Sequence, residues 1–288
     1  MVLNGLRFRH RMERAYDLIS IGRCGVDLYG DQWGSRLEEV SSFSKSVGGC
    51  PANIAIGTSR LGLRVAMITR VGDEQMGRYV CETMAAEGVD TSYIISDSKR
   101  LTTVVFLSIR DEKTFPLLFY RQNCADMALC EGDIKEEAIA QSRAILLSGV
   151  HLSTPSTAKA CFAAIRLAKK HKSRIIFDID YRPTLWGLTG LGEGESRYVE
   201  SAEVTKNIQT LLPECDLIVG TEEEFNIAGG SQNIYKSLEA VRSISSAVFV
   251  YKMGAQGCCV VADQVPKEFL PTGTPQGGPD TLGHIQEA

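Results

Sequence analysis

Short apolar runs of strand length alternate along the chain with segments whose apolar positions recur at helical spacing. Residues 17–22 predict a first strand and 51–61 a helix. Residues 64–69 predict a second strand and 76–87 a second helix, which Gly88 closes at the position that favours left-handed backbone. The alternation continues with strand 144–148, helix 156–170, strand 174–179, helix 197–211, strand 216–219 and helix 222–228. Helix 234–243 and strands 248–252 and 258–262 end the series. A strand-then-helix repeat predicts an α/β fold, a doubly wound and mostly parallel sheet with helices on both faces. In such sheets ligands bind outside the carboxyl ends of the strands.

Two regions break the alternation. Residues 28–46 and 102–121 read as extra strands without helices between them, and predict a small β-lid over the strand ends. Residues 1–15 predict a flexible lead-in, 16–262 one domain, and 263–288 an irregular tail.

Composition narrows the partners. A net charge of -4 over 288 residues gives no reason to expect nucleic acid or an anionic membrane surface. No apolar run approaches the roughly 18–20 residues that a spanning helix needs. Arg7, Arg9, Arg11 and Arg14 crowd the N-terminus without the apolar stretch of a secretory signal. The nine cysteines are scattered with no C-x-x-C pair, so reduced thiols in a cytoplasmic protein are expected. His10, His151, His171 and His284 show no metal-ligand spacing.

Several strand ends carry groups with chemical potential. Gly48-Gly49-Cys50-Pro51-Ala52-Asn53 opens a helix, so backbone can approach a ligand and Asn53 can offer an amide to a diol; a tight turn with a cap is the plainer reading. Asp27, just beyond the first strand, can accept from two hydroxyls or serve a turn. Asp73 in Gly72-Asp73-Glu74-Gln75 reads as the cap of the next helix. Tyr120-Arg121 can hold a carboxylate through two parallel hydrogen bonds, or stand solvated at a strand end. Asp178, Asp180 and Arg182 cluster at the end of a buried strand, where charges need partners or a ligand. Glu224, after Thr221, can complement a helix dipole or organise hydrated Mg²⁺. Lys252-Met253-Gly254-Ala255-Gln256-Gly257 suits a hairpin turn or an anion such as phosphate.

In order and spacing these motifs together resemble the ribokinase-like (PfkB) carbohydrate kinases from about residue 16 to 262. The runs Gly22-Arg23-Cys24-Gly25-Val26-Asp27-Leu28-Tyr29, Asp180-Tyr181-Arg182-Pro183 with Trp186, and Val219-Gly220-Thr221-Glu222-Glu223 look most like the members that phosphorylate 5-dehydro-2-deoxygluconate, a keto-deoxy sugar acid of inositol catabolism. The resemblance implies ATP and Mg²⁺ as cofactors and a small sugar or sugar acid as substrate. It implies that Asp27, Gly48, Gly49 and Asn53 hold sugar hydroxyls, and that Tyr120, Arg121 and Arg182 face the acid end or the transferred phosphate. Thr221, Lys252, Gly254 and Gly257 would border the nucleotide, with Glu224 near Mg²⁺ through water; many relatives have Asn where Thr221 stands. The lid would also build a homodimer contact.

One departure bears on activity. The family carries a second signature, D-T-x-G-A-G-D, whose glycines form an anion hole and whose last Asp takes the proton of the attacking hydroxyl. Here Asp280-Thr281-Leu282-Gly283 is followed by His284-Ile285-Gln286-Glu287-Ala288, without that Asp. A truncated or alternatively spliced chain, inactive by itself, is the expectation. A non-catalytic sugar-binding or regulatory protein is the competing reading. A dinucleotide-binding oxidoreductase is disfavoured, since no G-x-G-x-x-G follows the first strand.

Overall fold

The computed structural model describes residues 14–111 and 115–267. Most of the lead-in and of the irregular tail, including Asp280, Gly283 and His284, lies outside the described residues. Strand β1 (Tyr16–Ile21) leads through Gly22 into β2 (Gly25–Gly30), then β3 (Phe43–Gly48) and helix α1 (Cys50–Arg60). Next come β4 (Val65–Gly72), α2 (Gln75–Ala86), and the short strands β5 (Val89–Asp90) and β6 (Ile94–Asp97). Strands β7 (Thr103–Leu107) and β8 (Leu117–Tyr120) precede a short helix α3 (Glu136–Ala140). The chain then alternates: β9 (Ser142–Ser148), α4 (Pro155–His171), β10 (Arg174–Asp178), α5 (Ala202–Gln209) and β11 (Leu217–Gly220). Helices α6 (Glu222–Gly229) and α7 (Ile234–Ile244) and strands β12 (Val248–Lys252) and β13 (Cys258–Val261) follow.

The main sheet runs in the order β13-β12-β11-β10-β9-β1-β4, with β5 and β6 both paired to β4. Its pairs are parallel except β12 with β13. One register row, Ile68–Ile21–Leu147–Phe177–Ile218–Phe249, crosses six strands with every side chain buried. Residues so placed see helices on their side of the sheet, which is why these strands are apolar runs. Helices α3 to α7 supply Ile139, Ala160, Ile208, Phe225 and Leu238 to the core on that face, while α1 and α2 supply Ala52, Val80 and Met84 to the other.

The predicted lid is a separate four-stranded sheet, in the order β3-β2-β7-β8. Strands β2 and β7 are parallel, and the outer pairs are antiparallel.

Three details differ from expectation. Glu74 caps α2 instead of Asp73: its carboxylate accepts from the N–H of Met76 at 2.6 Å and of Gly77 at 3.2 Å. A Glu side chain, one methylene longer, reaches back over the first turn as well as onto the Thr102 N–H at 3.1 Å. Helix α5 begins at Ala202, where Ser201 Oγ accepts from the Val204 N–H, so residues 197–201 are not helical as the periodicity suggested. Strands β5 and β6 and helix α3 are too short to show a period, and the sequence reading did not contain them.

Candidate active site

Parallel strands bring their carboxyl ends to one edge of the sheet. Ser148, Asp178, Gly220 and Lys252 end four neighbouring strands there, and the lid arches over that edge from β1. Between them lies a cavity of about 460 Å³. Side chains alternate along a strand, so one lid face supplies Asp27, Tyr29, Val105, Leu107, Leu117 and Phe119 to its roof. Gly49, Cys50 and Asn53 from the start of α1 form one wall, and Asp180 and Arg182 another.

The glycine pair has a steric cause. A Cβ on Gly48 would stand 2.1 Å from Asp27 Oδ1, and one on Gly49 would stand 2.5 Å from the Arg23 carbonyl oxygen. Gly49 also holds φ at 106°, backbone that favours glycine. Gly48 thus makes room for the Asp27 carboxylate, while Gly49 reaches the cavity. Burial pushes the Asp27 carboxyl above the usual range, and Arg23 nearby partly offsets this. Asn53 is exposed at the cavity wall.

At the end of β10 four charged groups converge. Lys252 Nζ stands 3.5 Å from Asp178 Oδ2 and 3.5 Å from Glu224 Oε2. Arg182 Nη1 lies 3.8 Å from Glu224 Oε1 and donates to the Tyr181 carbonyl at 3.0 Å. Burial raises the Asp178 carboxyl to about 6 against the pull of Lys252. Lys252 itself is held protonated: burial opposes its charge, but Glu224 and Asp178 outweigh it. Asp180 holds φ at 37°, uncommon for any residue but glycine, and its Oδ2 accepts from Ser148 Oγ at 2.8 Å. Its burial opposes ionisation, yet Arg182, Arg23 and the Ser148 hydroxyl hold its pKa below the ordinary value. A strained backbone, a raised carboxyl and a lysine between two acids are concentrated at one strand end, as at sites that bind charged ligands.

The other residues singled out in the sequence lie as follows. Thr221 and Glu224 form a capping box on α6: the Thr221 N–H donates to Glu224 Oε2 at 2.7 Å. Gly254 and Gly257 shape the β12–β13 turn, whose Met253, Gln256 and Gly257 N–H groups bond within the loop. Tyr120 and Arg121 are not brought to the cavity. Alternation places Tyr120 on the outer lid face, 59% exposed and edge-on to Phe106. Arg121 is buried in an ion pair with Asp126 at 2.7 Å, and Asp126 also accepts from Thr103 Oγ1.

Two cavity-lining arginines escaped the sequence reading. Arg23 is 8% exposed and follows β1, and Arg197 stands at the mouth in the extended segment before α5. The cavity walls, and then the like charge of Arg182, make the protonated form of Arg197 less favourable than usual. The position of Arg23 in the Gly22–Asp27 run was a usable signal. Arg197 was hidden by the predicted helix.

Can the site hold nucleotide and metal? Two cations beside two carboxylates suit a polyphosphate carrying a hydrated divalent ion. Among the described residues no three metal-binding side chains converge, so an all-protein cage does not fit, while water-mediated contact by Asp178 and Glu224 does.

Comparison with known proteins agrees with this geometry. The 5-dehydro-2-deoxygluconokinase of Bacillus licheniformis is 34% identical over 258 residues, covering 88% of this chain and 75% of that protein. That of Geobacillus thermodenitrificans is 38% identical over 217 residues, covering 75% of this chain but 60% of its own length. The crystal structure of a PfkB protein from Polaromonas sp. JS666 superposes with a TM-score of 0.74 at 27% identity, covering 85% of this chain and 79% of that one. An uncharacterised sugar kinase from Pyrococcus horikoshii in complex with ATP gives a TM-score of 0.71 at 26% identity, over 86% of this chain and 74% of that one. Residues 16–276 match the profile of the pfkB family carbohydrate kinases, and it is to this family of sugar kinases that the chain belongs.

Proposed function

We propose that this fold serves ATP-dependent phosphorylation of a hydroxyl on a keto sugar acid resembling 5-dehydro-2-deoxygluconate. The observation that carries the reading is the convergence of Asp178, Glu224 and Lys252 next to Arg182, which itself lines the cavity whose other walls carry Asp27 and Asn53. Asp27 accepts hydrogen bonds from sugar hydroxyls and Asn53 orients them. Lys252 and Arg182 balance the charge of the transferring phosphoryl group. The hydroxyl oxygen forms a bond to the terminal phosphorus while the bond to ADP breaks, and the hydroxyl proton passes to a general base. Mg²⁺ carried with the nucleotide supplies further charge neutralisation, with Asp178 and Glu224 its water-mediated holders. Lid closure against the strand ends keeps water from the phosphoryl group.

The base is the weak link in this chain. Where the family signature reads Ala-Gly-Asp, His284-Ile285-Gln286 stands, and Gln286 cannot take up a proton at neutral pH. This favours binding of both ligands without appreciable turnover, a sugar-binding or regulatory role for the chain. No disulfide joins cysteines among the described residues, which supports a reducing cytoplasmic setting. Among the described residues no helix is long and apolar enough to cross a membrane. The outer lid face carries a row of aromatic rings, Phe43–Phe106 at 5.4 Å and Phe106–Tyr120 at 5.5 Å, and supports a homodimer through the lid.

The test incubates the purified chain with ATP, Mg²⁺ and 5-dehydro-2-deoxygluconate and follows ADP release and thermal unfolding. Stabilisation by each ligand with ADP at the blank level is expected. ADP release above the blank overturns the inactive reading and leaves the kinase one. A melting temperature indifferent to both ligands sinks both.

A further inference from the structure

Three guanidinium groups share one cavity. Arg23, Arg182 and Arg197 line it against Asp27 and Asp180. Arg182 has Glu224 and the Tyr181 carbonyl as partners. Arg23 has no such contact: among the described residues none of its nitrogens shares a hydrogen bond or ion pair, and its Nε is buried without a partner. The Phe119 ring lies 6.0 Å from it at the roof, and the Asp27 and Asp180 carboxylates feel its charge without an ion-pair contact. Arg197, exposed at the mouth, also has no acid in ion-pair reach among the described residues, although Glu223 and Glu224 favour its charge and Arg182 opposes it. Buried charges are ordinarily paired, so the buried Arg23 guanidinium is costly unless a ligand completes it. The resemblance implies Tyr120, Arg121 and Arg182 for the acid end of the substrate or the transferred phosphate. Tyr120 faces away from the cavity, Arg121 is ion-paired with Asp126, and Arg182, which lines the cavity, lies against Glu224.

We infer that Arg23 and Arg197 are specificity-determining residues that bind the carboxylate of the substrate and so select sugar acids over neutral sugars. The inference rests on the proposed sugar-kinase site and names its substrate class from residues outside the predicted set. Arg23 sits beside Asp27, which takes hydroxyls, and Phe119 roofs it with an apolar ring. A planar carboxylate presented to that guanidinium gains charge-assisted hydrogen bonds in a place with little water. Arg197 approaches from the mouth and closes over the same anion. Their separate origins, the β1–β2 turn and the segment before α5, make the pair sensitive to how the lid sits on the strand ends.

The experiment measures equilibrium binding by calorimetry, so it does not need turnover. The chain is titrated with 5-dehydro-2-deoxygluconate and with a neutral ketose, D-fructose, for the wild type, Arg23→Gln and Arg197→Gln. The wild type is expected to prefer the acid. Each substitution should weaken acid binding by about 10- to 100-fold, the worth of one charge-assisted contact, and leave the neutral sugar within about twofold. Rising salt should weaken the acid alone. Arg197→Gln, at the solvent-facing mouth, keeps the test alive should Arg23→Gln fail to fold. Equal affinity for acid and neutral sugar in the wild type, or an unchanged acid affinity in Arg197→Gln, overturns the clamp while leaving the sugar site intact. Failure of both sugars to bind the wild type overturns the proposed site and the clamp with it.

Discussion

Asp178 ends β10 with its carboxyl buried, one oxygen accepting from the Asp180 N–H at 3.1 Å and the other 3.5 Å from Lys252 Nζ. Burial raises it to about 6, above the value near 4 usual for an unfolded chain. The folded state therefore holds this proton where the unfolded state has lost it, and stability contributed here falls as pH rises from about 4 to 6. Asp180, depressed beside Arg182 and Ser148, acts in the opposite sense and loses its contribution only as pH falls. In Asp178→Asn the amide oxygen can keep the backbone hydrogen bond and the titration disappears. The variant should gain stability relative to the wild type between pH 4 and pH 6 and run parallel to it above pH 7. Urea unfolding across that range measures this, and a pH-independent difference would refute it. The same residue scale explains why the acids at this strand end stood out in the sequence while Arg23 and Arg197 did not. Clustered charge after an apolar run is visible along the chain, whereas an unpaired guanidinium is defined only by what surrounds it.

Helix starts decide how elements are joined here. Glu74 does more than cap α2, because Oε1 also accepts from Thr102 Oγ1 at 2.5 Å and from the Thr102 N–H, tying the helix to the chain entering β7 of the lid. Replacing Glu74 by Ala should cost about 1–2 kcal/mol as a lost cap. Asp73→Ala should stay within about 0.5 kcal/mol of the wild type, as an exposed change away from special features does. Chemical denaturation of the two variants compares them, and a larger loss for Asp73→Ala would contradict the assignment. The start of α5 matters for a different reason. Ser201 caps it five residues later than periodicity predicts, so residues 197–201 remain extended and Arg197 reaches the cavity mouth. Apolar spacing continues through such a segment because Tyr198 packs on the core, and periodicity by itself reads that packing as helix.

At the scale of the molecule, the lid is a sheet with two distinct faces. Its inner face roofs the cavity, and its outer face presents Phe43, Phe106 and Tyr120 in edge-to-face contact, with Trp33 exposed close by in sequence. If that face joins two chains, sedimentation should find a dimer, and Phe106→Asp should shift it to monomer by burying an unpaired charge in the contact. An unchanged sedimentation coefficient for Phe106→Asp would remove the lid from the interface. The buried Arg121–Asp126 pair, with Thr103 on the same carboxylate, locks the end of β8 to the start of β7 and so holds the roof in register.

By itself the sequence determined the parallel sheet, the two-part lid, the strand-end acids and lysine, and the family those motifs resemble, because periodicity and motif order are local properties of a chain. Only the tertiary structure decided which charges meet. It turned Tyr120 outward, gave Arg121 to Asp126, put Lys252 between Asp178 and Glu224, and left Arg23 and Arg197 facing a cavity. The physical reason is that a side chain's partner is set by strand register, face and the start of the next helix, and residues as far apart as 23 and 197 come to line one cavity only once the lid lies on the sheet.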